Sequence, residues 1–95
     1  MMTVREKTIQ NLNLMLQRNH INTSDLNAIT NKKGFLYAIV DEDGVIQTMR
    51  KTLGTANRVL NLGKFNILSG LTVDVQKYQV VSVHIDELEL KPTEG

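Results

Sequence analysis

Apolar residues near the start of the chain recur with the period of an α-helix. They fall three or four residues apart on one face, at Val4, Thr8, Ile9, Leu12, Met15 and Leu16. Thr3 and Glu6 have capping-box spacing, in which each side chain accepts a hydrogen bond from the other residue's backbone N–H. The pattern predicts a helix from about Val4 to Arg18, with Leu14 pointing away from the apolar face.

A second, shorter helix is predicted after the cluster of capping residues at 22–25. Gly34 is expected to end this helix, because glycine readily adopts the left-handed conformation of a helix C-cap. Lys32 and Lys33 would then lie near its negative C-terminal end, which favours cations.

Residues 35–40 are apolar at every position, which predicts a strand covered on both faces. The segment 41–44 follows as a turn, and Gly44 supplies the positive φ angle that a tight hairpin requires. Residues 45–49 then form the partner strand.

Helical spacing returns at 51–62. Thr52 or Thr55 is expected to cap the start of this third helix, and Gly63 to end it. Gly54 weakens the first turn, since glycine has the largest conformational entropy to lose.

Two further strands are predicted at 71–75 and 79–85, joined by a short turn, and the acidic end from Asp86 is expected to fray. The predicted fold is α+β, with the order α-α-β-β-α-β-β. We expect a mostly antiparallel sheet of about four strands, with the helices packed on one face. Residues 1–90 would form one small domain, followed by a frayed tail at 91–95.

Composition limits what such a domain can be. The chain has 95 residues, of which 41% are hydrophobic, so we expect one domain with a small core that a partner subunit would help to stabilise. The absence of cysteine excludes a disulfide framework, a thiolate nucleophile and a cysteine zinc site. No apolar run reaches about 18 residues and no signal-peptide pattern is present, so we expect a cytoplasmic protein without membrane contact.

Charge is unevenly distributed although the formal net charge is only +1. Residues 1–34 carry five basic and two acidic side chains, whereas residues 65–95 carry two basic and five acidic ones. Such an asymmetry would steer a charged partner or favour pairing between copies.

The sequence offers no complete catalytic set. The acidic turn 41–44 lacks the later carboxylate that a calcium loop requires. His84 shares a predicted strand face with Ser82, but a catalytic pair needs a third group that orients the histidine. We therefore expect a protein that is not an enzyme, with no cofactor and no metal.

The leading interpretation is a small binding protein, an inhibitor or adaptor, that recognises a protein partner through a complementary surface. Its candidate protein-binding residues are the off-face Leu14 and the strand residues Val80, Val81, Val83 and Ile85, since an exposed strand can add to a neighbouring sheet. We also expect a homodimer. In format alone, the chain resembles small accessory proteins of phages and mobile elements, among them inhibitors of host defence.

A second interpretation is DNA binding. The apolar spacing from Ile9 to Ile29, broken at 19–24, resembles the first two helices of a helix-turn-helix. Lys32 and Lys33 would contact phosphates, with the side chains of Asn27, Thr30 and Asn31 reading bases and the 35–49 hairpin as a wing.

A third interpretation is an oligomeric sponge that sequesters a nucleotide-like anion between subunits. Arg50 and Lys51 precede a predicted helix, whose N-terminus favours a phosphate, and Arg58 lies within that helix.

Overall fold

The computed structural model describes residues 1–63 and 75–89. They form three helices and three strands: α1 (Val4–Gln17), α2 (Thr23–Ala28), β1 (Phe35–Asp41), β2 (Ile46–Arg50), α3 (Leu53–Leu62) and β3 (Tyr78–His84). Two short 3₁₀ turns, Val75–Lys77 and Ile85–Glu87, flank β3. The α+β class is confirmed. The predicted strand at 71–75 lies outside the described residues except for Val75, which belongs to a 3₁₀ turn.

The described strands form an antiparallel sheet in the order β2-β1-β3. The central strand β1 is apolar because it is covered on both faces, as its unbroken apolar sequence predicts. Leu36 pairs with Val83, and Ala38 pairs with both Val81 and Met49, so these side chains share one face of the sheet.

That face carries the main core. Leu12 and Leu16 of α1, Leu26 of α2 and Leu36 of β1 are buried in a single apolar cluster there. The helical face predicted for α1 is therefore confirmed, and Leu14 does point away from it.

The expectation that all helices share one face of the sheet is wrong. Helix α3 contacts all three strands. Ile39 and Ala56 are fully buried, yet neither belongs to the cluster beneath α1 and α2. Because Ile39 alternates with Ala38 and Val40 along β1, it lies on the opposite face, where α3 packs. The described residues thus form three layers, with the sheet in the middle.

Capping side chains and left-handed residues determine where the helices begin and end. The capping box of Thr3 and Glu6 is present, and Thr52, rather than Thr55, caps α3. Asn19 and Gly63 end their helices in the left-handed conformation. The extension of α2 to Gly34 is wrong.

Helix α2 ends at Ala28 because Asn31 redirects the chain. Its side-chain oxygen accepts hydrogen bonds from the N–H groups of Lys33 and Phe35, at 3.0 and 3.1 Å. Gly34 has a φ of +87° within this turn, so its positive φ serves the entry into β1 rather than a helix end. Lys32 and Lys33 therefore lie in the turn and not at a helix terminus.

The predicted fraying from Asp86 is also wrong as far as Glu89. Leu88 is buried in the main core, and the N–H of Glu89 donates to the side-chain oxygen of Asn13 at 2.8 Å. Glu87 forms an ion pair with Arg5. These three contacts hold the segment after β3 against α1. The predicted tail at 91–95 lies outside the described residues.

Candidate interaction surface on helix α1

Helix α1 presents a side to solvent that the sheet does not cover. We call this side, together with the cap residue that follows it, the outer face of α1; it consists of Glu6, Lys7, Gln10, Leu14, Gln17 and Arg18. Leu14 is 37% exposed. Full burial of a leucine side chain lowers the free energy by about 2 kcal/mol, so the exposed part of Leu14 is available to stabilise a complex.

Charge is missing from most of this helix. The ten residues from Thr8 to Gln17 include no acidic or basic side chain, while 22% of the whole chain is charged. Only Glu6 and Lys7 near one end and Arg18 at the other carry charge on the outer face. An exposed helix usually alternates charges for solubility, whereas the centres of protein interfaces are depleted of them.

Two grooves run along the sides of Leu14. The first, of about 460 Å³, is lined by Met2, Glu6, Ile9, Gln10, Asn13, Leu14, Gln17 and Glu89. The second, of about 230 Å³, is lined by Asn11, Leu14, Met15, Arg18, His20, Val45 and Ile46. Leu14 belongs to both, so it forms a ridge between two partly apolar depressions.

The walls of these grooves are fixed by hydrogen bonds. On one side, Asn13 holds Glu89 as described above. On the other side, the Asn11 amide donates to the carbonyl oxygen of Gly44 at 2.7 Å, which ties α1 to the β1–β2 turn. The position of Leu14 is therefore set by the folded core and does not depend on a partner.

The ion pair between Arg5 and Glu87 lowers the pKa of Glu87. The hydrogen bond from the Arg5 guanidinium, together with one from the His84 N–H, holds the pKa of Glu87 below its ordinary value of 4.5. The group lies near the surface, so its contribution to stability is small. That contribution is present above pH 4.5 and is lost as the pH falls through the lowered pKa.

The strand predicted to bind a partner lies at an edge of the described sheet. Within residues 1–63 and 75–89, no strand pairs with the outer edge of β3. Val81 and Val83 are buried in the core, so a partner at this strand would meet their backbone groups and not their side chains. Val80 is half-buried, and Ile85 lies in the 3₁₀ turn beyond the strand. Any sheet extension here would use backbone groups.

Backbone groups hold the ring of His84, the residue considered above for a catalytic pair with Ser82. Its Nε2 donates to the carbonyl oxygen of Lys33 at 3.1 Å, and its Nδ1 accepts from the N–H of Asp86 at 3.1 Å. Both ring nitrogens are thus occupied by backbone groups, and the ring meets Phe35 edge to face. Ser82 is exposed and has no part in these contacts.

The structure brings most of the predicted cationic residues near one another. Lys32 and Lys33 line an open groove of about 400 Å³ with Asn31, Tyr37, Thr52 and Leu53 at the start of α3. The Asn31 amide also donates to the carbonyl oxygen of Lys51 at 3.3 Å. Lys51 and Arg58 are exposed, whereas the Arg50 guanidinium is half-buried and donates to Thr48 and to the Met49 carbonyl.

Two of the three side chains that the DNA hypothesis assigns to base reading form hydrogen bonds within the protein. Asn31 is engaged by backbone groups of its own turn, and the Thr30 hydroxyl donates to the carbonyl of Leu26. Helix α2 has six residues and is therefore shorter than the predicted helix, which extended to Gly34. Asn27 alone of the three is exposed.

Comparisons with protein-family models, curated proteins and solved structures found no match to this chain. Among the described residues, no cluster of three or more His, Cys, Asp or Glu side chains is placed to hold a metal ion. No helix in the described part of the chain has the length and apolar character needed to cross a membrane.

Leu14 is the residue of the outer face that the sequence marks as a binding candidate; its neighbours on that face are not marked. The signal was present in the sequence, as a run of ten uncharged residues that includes five polar ones. The sequence does not show that these residues form a surface with grooves. The groove walls come from distant parts of the chain, the turn at Gly44 and the segment 85–89.

Proposed function

We propose that this protein is a non-enzymatic binding protein that acts through the outer face of α1 on a macromolecular partner in the cytoplasm, as an inhibitor or adaptor. The observation that supports it is the exposed Leu14 ridge between two grooves on a helix whose last ten residues are uncharged. Burial of the Leu14 side chain in a partner's pocket would remove apolar surface from water and so stabilise the complex.

The proposal predicts that a charge at Leu14 abolishes binding. In capture from an extract of the protein's own host, Leu14→Asp should reduce the bound macromolecule at least about tenfold, because an aspartate would be desolvated in the interface. Lys32→Glu combined with Lys33→Glu should leave the captured set unchanged. Retained capture by Leu14→Asp and lost capture by the lysine variant would contradict the proposal.

Folding of the variants is a necessary control. Leu14 is partly exposed and does not belong to the main core, so Leu14→Asp should keep the melting temperature within several degrees of the parent. Leu14→Ala, which removes the ridge without adding charge, should weaken capture less than the aspartate does.

A second candidate function, binding of a nucleic acid or a nucleotide-like anion, is supported by the groove near Lys32 and Lys33. The first turn of α3 borders this groove and contains no acidic residue, so its N-terminus is electrostatically open to an anion. This function predicts salt-sensitive affinity for DNA, or a raised melting temperature with a nucleotide. Either effect would disappear when Lys32 and Lys33 become Glu.

A further inference from the structure

The imidazole ring of His84 joins the turn before β1 to the segment after β3, residues 85–89. Its Nε2 atom lies 3.1 Å from the carbonyl oxygen of Lys33, and its Nδ1 atom lies 3.1 Å from the backbone nitrogen of Asp86. A carbonyl oxygen can only accept a hydrogen bond, and a backbone N–H can only donate one. The two partners therefore require a neutral ring that carries its proton on Nε2.

On the side of the turn, the ring is packed directly against backbone. A Cβ atom at Gly34 would lie 2.7 Å from the Nε2 atom, and Phe35 meets the ring edge to face. The Gly34 carbonyl also accepts a hydrogen bond from the N–H of Ile85 at 2.8 Å. On the other side the Asp86 side chain is 88% exposed. A change in the hydrogen bonding of the ring is therefore accommodated at Asp86 and not at the turn.

Protonation changes what the Nδ1 atom can do. A proton taken from solvent occupies the lone pair with which Nδ1 accepts, so the protonated ring donates at both nitrogens. The backbone N–H of Asp86 would then face another N–H. A carboxylate oxygen of the same residue lies 3.5 Å from Nδ1 and can accept from it instead. Nδ1 thus exchanges one group of Asp86 for another, and the backbone N–H loses its acceptor.

We infer that His84 is a pH-sensitive latch: its neutral ring holds residues 85–89 in place, and its protonation loosens them. His84 caps the 3₁₀ turn Ile85–Glu87 through the hydrogen bond that protonation removes, and loss of a cap favours opening of the turn. Glu89, at the end of this segment, lines the first groove beside Leu14. The latch would therefore regulate the outer face of α1, and this consequence alone rests on the proposed function.

The charged groups around the ring come from three parts of the fold, while β1 presents an uncharged ring. Asp86 and Glu87 follow β3, and the Glu87 carboxylate accepts from the N–H of His84 at 3.0 Å. Arg5 of α1 pairs with that carboxylate, and Lys33 of the turn lines the groove at the start of α3. The hydrogen bond from Arg5 holds the pKa of Glu87 below 4.5. Glu87 therefore stays ionised between about pH 5 and 8, where histidine side chains change charge.

Amide hydrogen exchange of the free chain, followed by NMR at about pH 7.5 and about pH 5.5, tests the latch. Protection factors are compared, because they remove the intrinsic pH dependence of exchange. The N–H of Glu89, which donates to Asn13, should lose protection at least about fivefold at the lower pH, whereas amides of β1 should keep theirs. The imidazole nitrogen shifts of His84 should show a proton on Nε2 at the higher pH.

His84→Asn is the variant that isolates the titration. The asparagine oxygen can accept from the N–H of Asp86 as Nδ1 does, because asparagine is a favoured N-cap residue, but asparagine does not titrate. The protection of Glu89 should then be equal at both pH values. His20→Asn is the matched control, since His20 is the other of the two histidines and is exposed after α1. That variant should retain the full pH response.

Asp86→Ala gives a second test, which remains available if His84→Asn does not fold. It keeps the backbone N–H that the neutral ring binds and removes the carboxylate that accepts from the protonated ring. Loss of protection should then require a pH lower by about 0.3 units, since a nearby negative charge favours the charged form of histidine.

The outcomes separate the latch from the proposed function. Equal protection of Glu89 at both pH values in the parent, or a pH response that persists in His84→Asn, overturns the latch. A neutral His84 ring with its proton on Nδ1 also overturns it. None of these results affects Leu14-dependent capture at neutral pH, which tests the proposed function. Failure of that capture would leave the latch in place, because exchange is measured on the free chain.

Discussion

Gly44→Ala should destabilise the protein by about 3 kcal/mol, the largest effect expected from adding a single methyl group. Gly44 has a φ of +74°, and the left-handed conformation costs an L-residue roughly 1–2 kcal/mol. A Cβ atom there would also lie 2.7 Å from the Thr8 backbone nitrogen and 2.8 Å from the Lys7 carbonyl carbon. Backbone cannot move aside as a side chain does, so overpacking adds about 1–3 kcal/mol.

Gly44→Ala should also change the outer face of α1, because the added methyl group would push the β1–β2 turn away from the helix. Asn11 would then lose its hydrogen bond to the Gly44 carbonyl. Urea unfolding of the variant and the parent measures the difference in the free energy of unfolding.

Gly54→Ala is the matched control for Gly44→Ala. A Cβ at Gly54 meets nothing within 4 Å, and the residue lies in α3. Alanine should therefore stabilise the protein by about 0.5 kcal/mol, through the unfolded state. If Gly44→Ala were as harmless as Gly54→Ala, the described packing of the turn on α1 would be wrong.

Leu12→Ala should cost about 2–5 kcal/mol, whereas Leu14→Ala, at a partly exposed position, should cost about 1 kcal/mol or less. The two leucines are separated by one residue on the same helix. Leu12 is fully buried in the main core, so its truncation leaves a cavity, and Leu14 is exposed on the outer face. Thermal or urea unfolding of the two variants compares the two sides of α1 directly.

The reverse ranking, with Leu14→Ala the more damaging change, would mean that α1 is rotated about its axis. The outer face would then be part of the core, and the surface proposed for binding would not exist. In a dimerising protein the test is made at low concentration, so that loss of association does not add to the measured difference.

Much of the local structure was predictable because its causes are local. The capping box of Thr3 and Glu6 and the positive φ of Gly44 depend on neighbouring residues only. The cover on both faces of β1 follows from its unbroken apolar run, whereas the strand order does not. By contrast, the sequence at 32–34 is typical of a helix end. The hydrogen bonds that the Asn31 side chain accepts from Lys33 and Phe35 make this segment a turn instead.

The arrangement of layers and the candidate site were less accessible from sequence. Periodicity shows that α3 has an apolar side but not which face of the sheet that side covers. Val81 and Val83 lie on the same face of β3, but the alternation of residues along a strand does not show whether that face is buried or exposed. The structure shows that it is buried. The grooves beside Leu14 likewise need contacts between residues more than thirty positions apart, such as Asn11 with Gly44 and Asn13 with Glu89.

Photo-crosslinking inside the host cell tests most directly whether the outer face of α1 binds a partner. A benzophenone side chain replaces Leu14 in one version of the protein and Leu53, which is 49% exposed beside Lys32 and Lys33, in the other. A defined adduct from position 14 and none from position 53 is the predicted result. An adduct of twice the chain mass identifies a second copy, and any other mass identifies a different partner. Adducts from position 53 alone would contradict the account and move the function to the cationic groove.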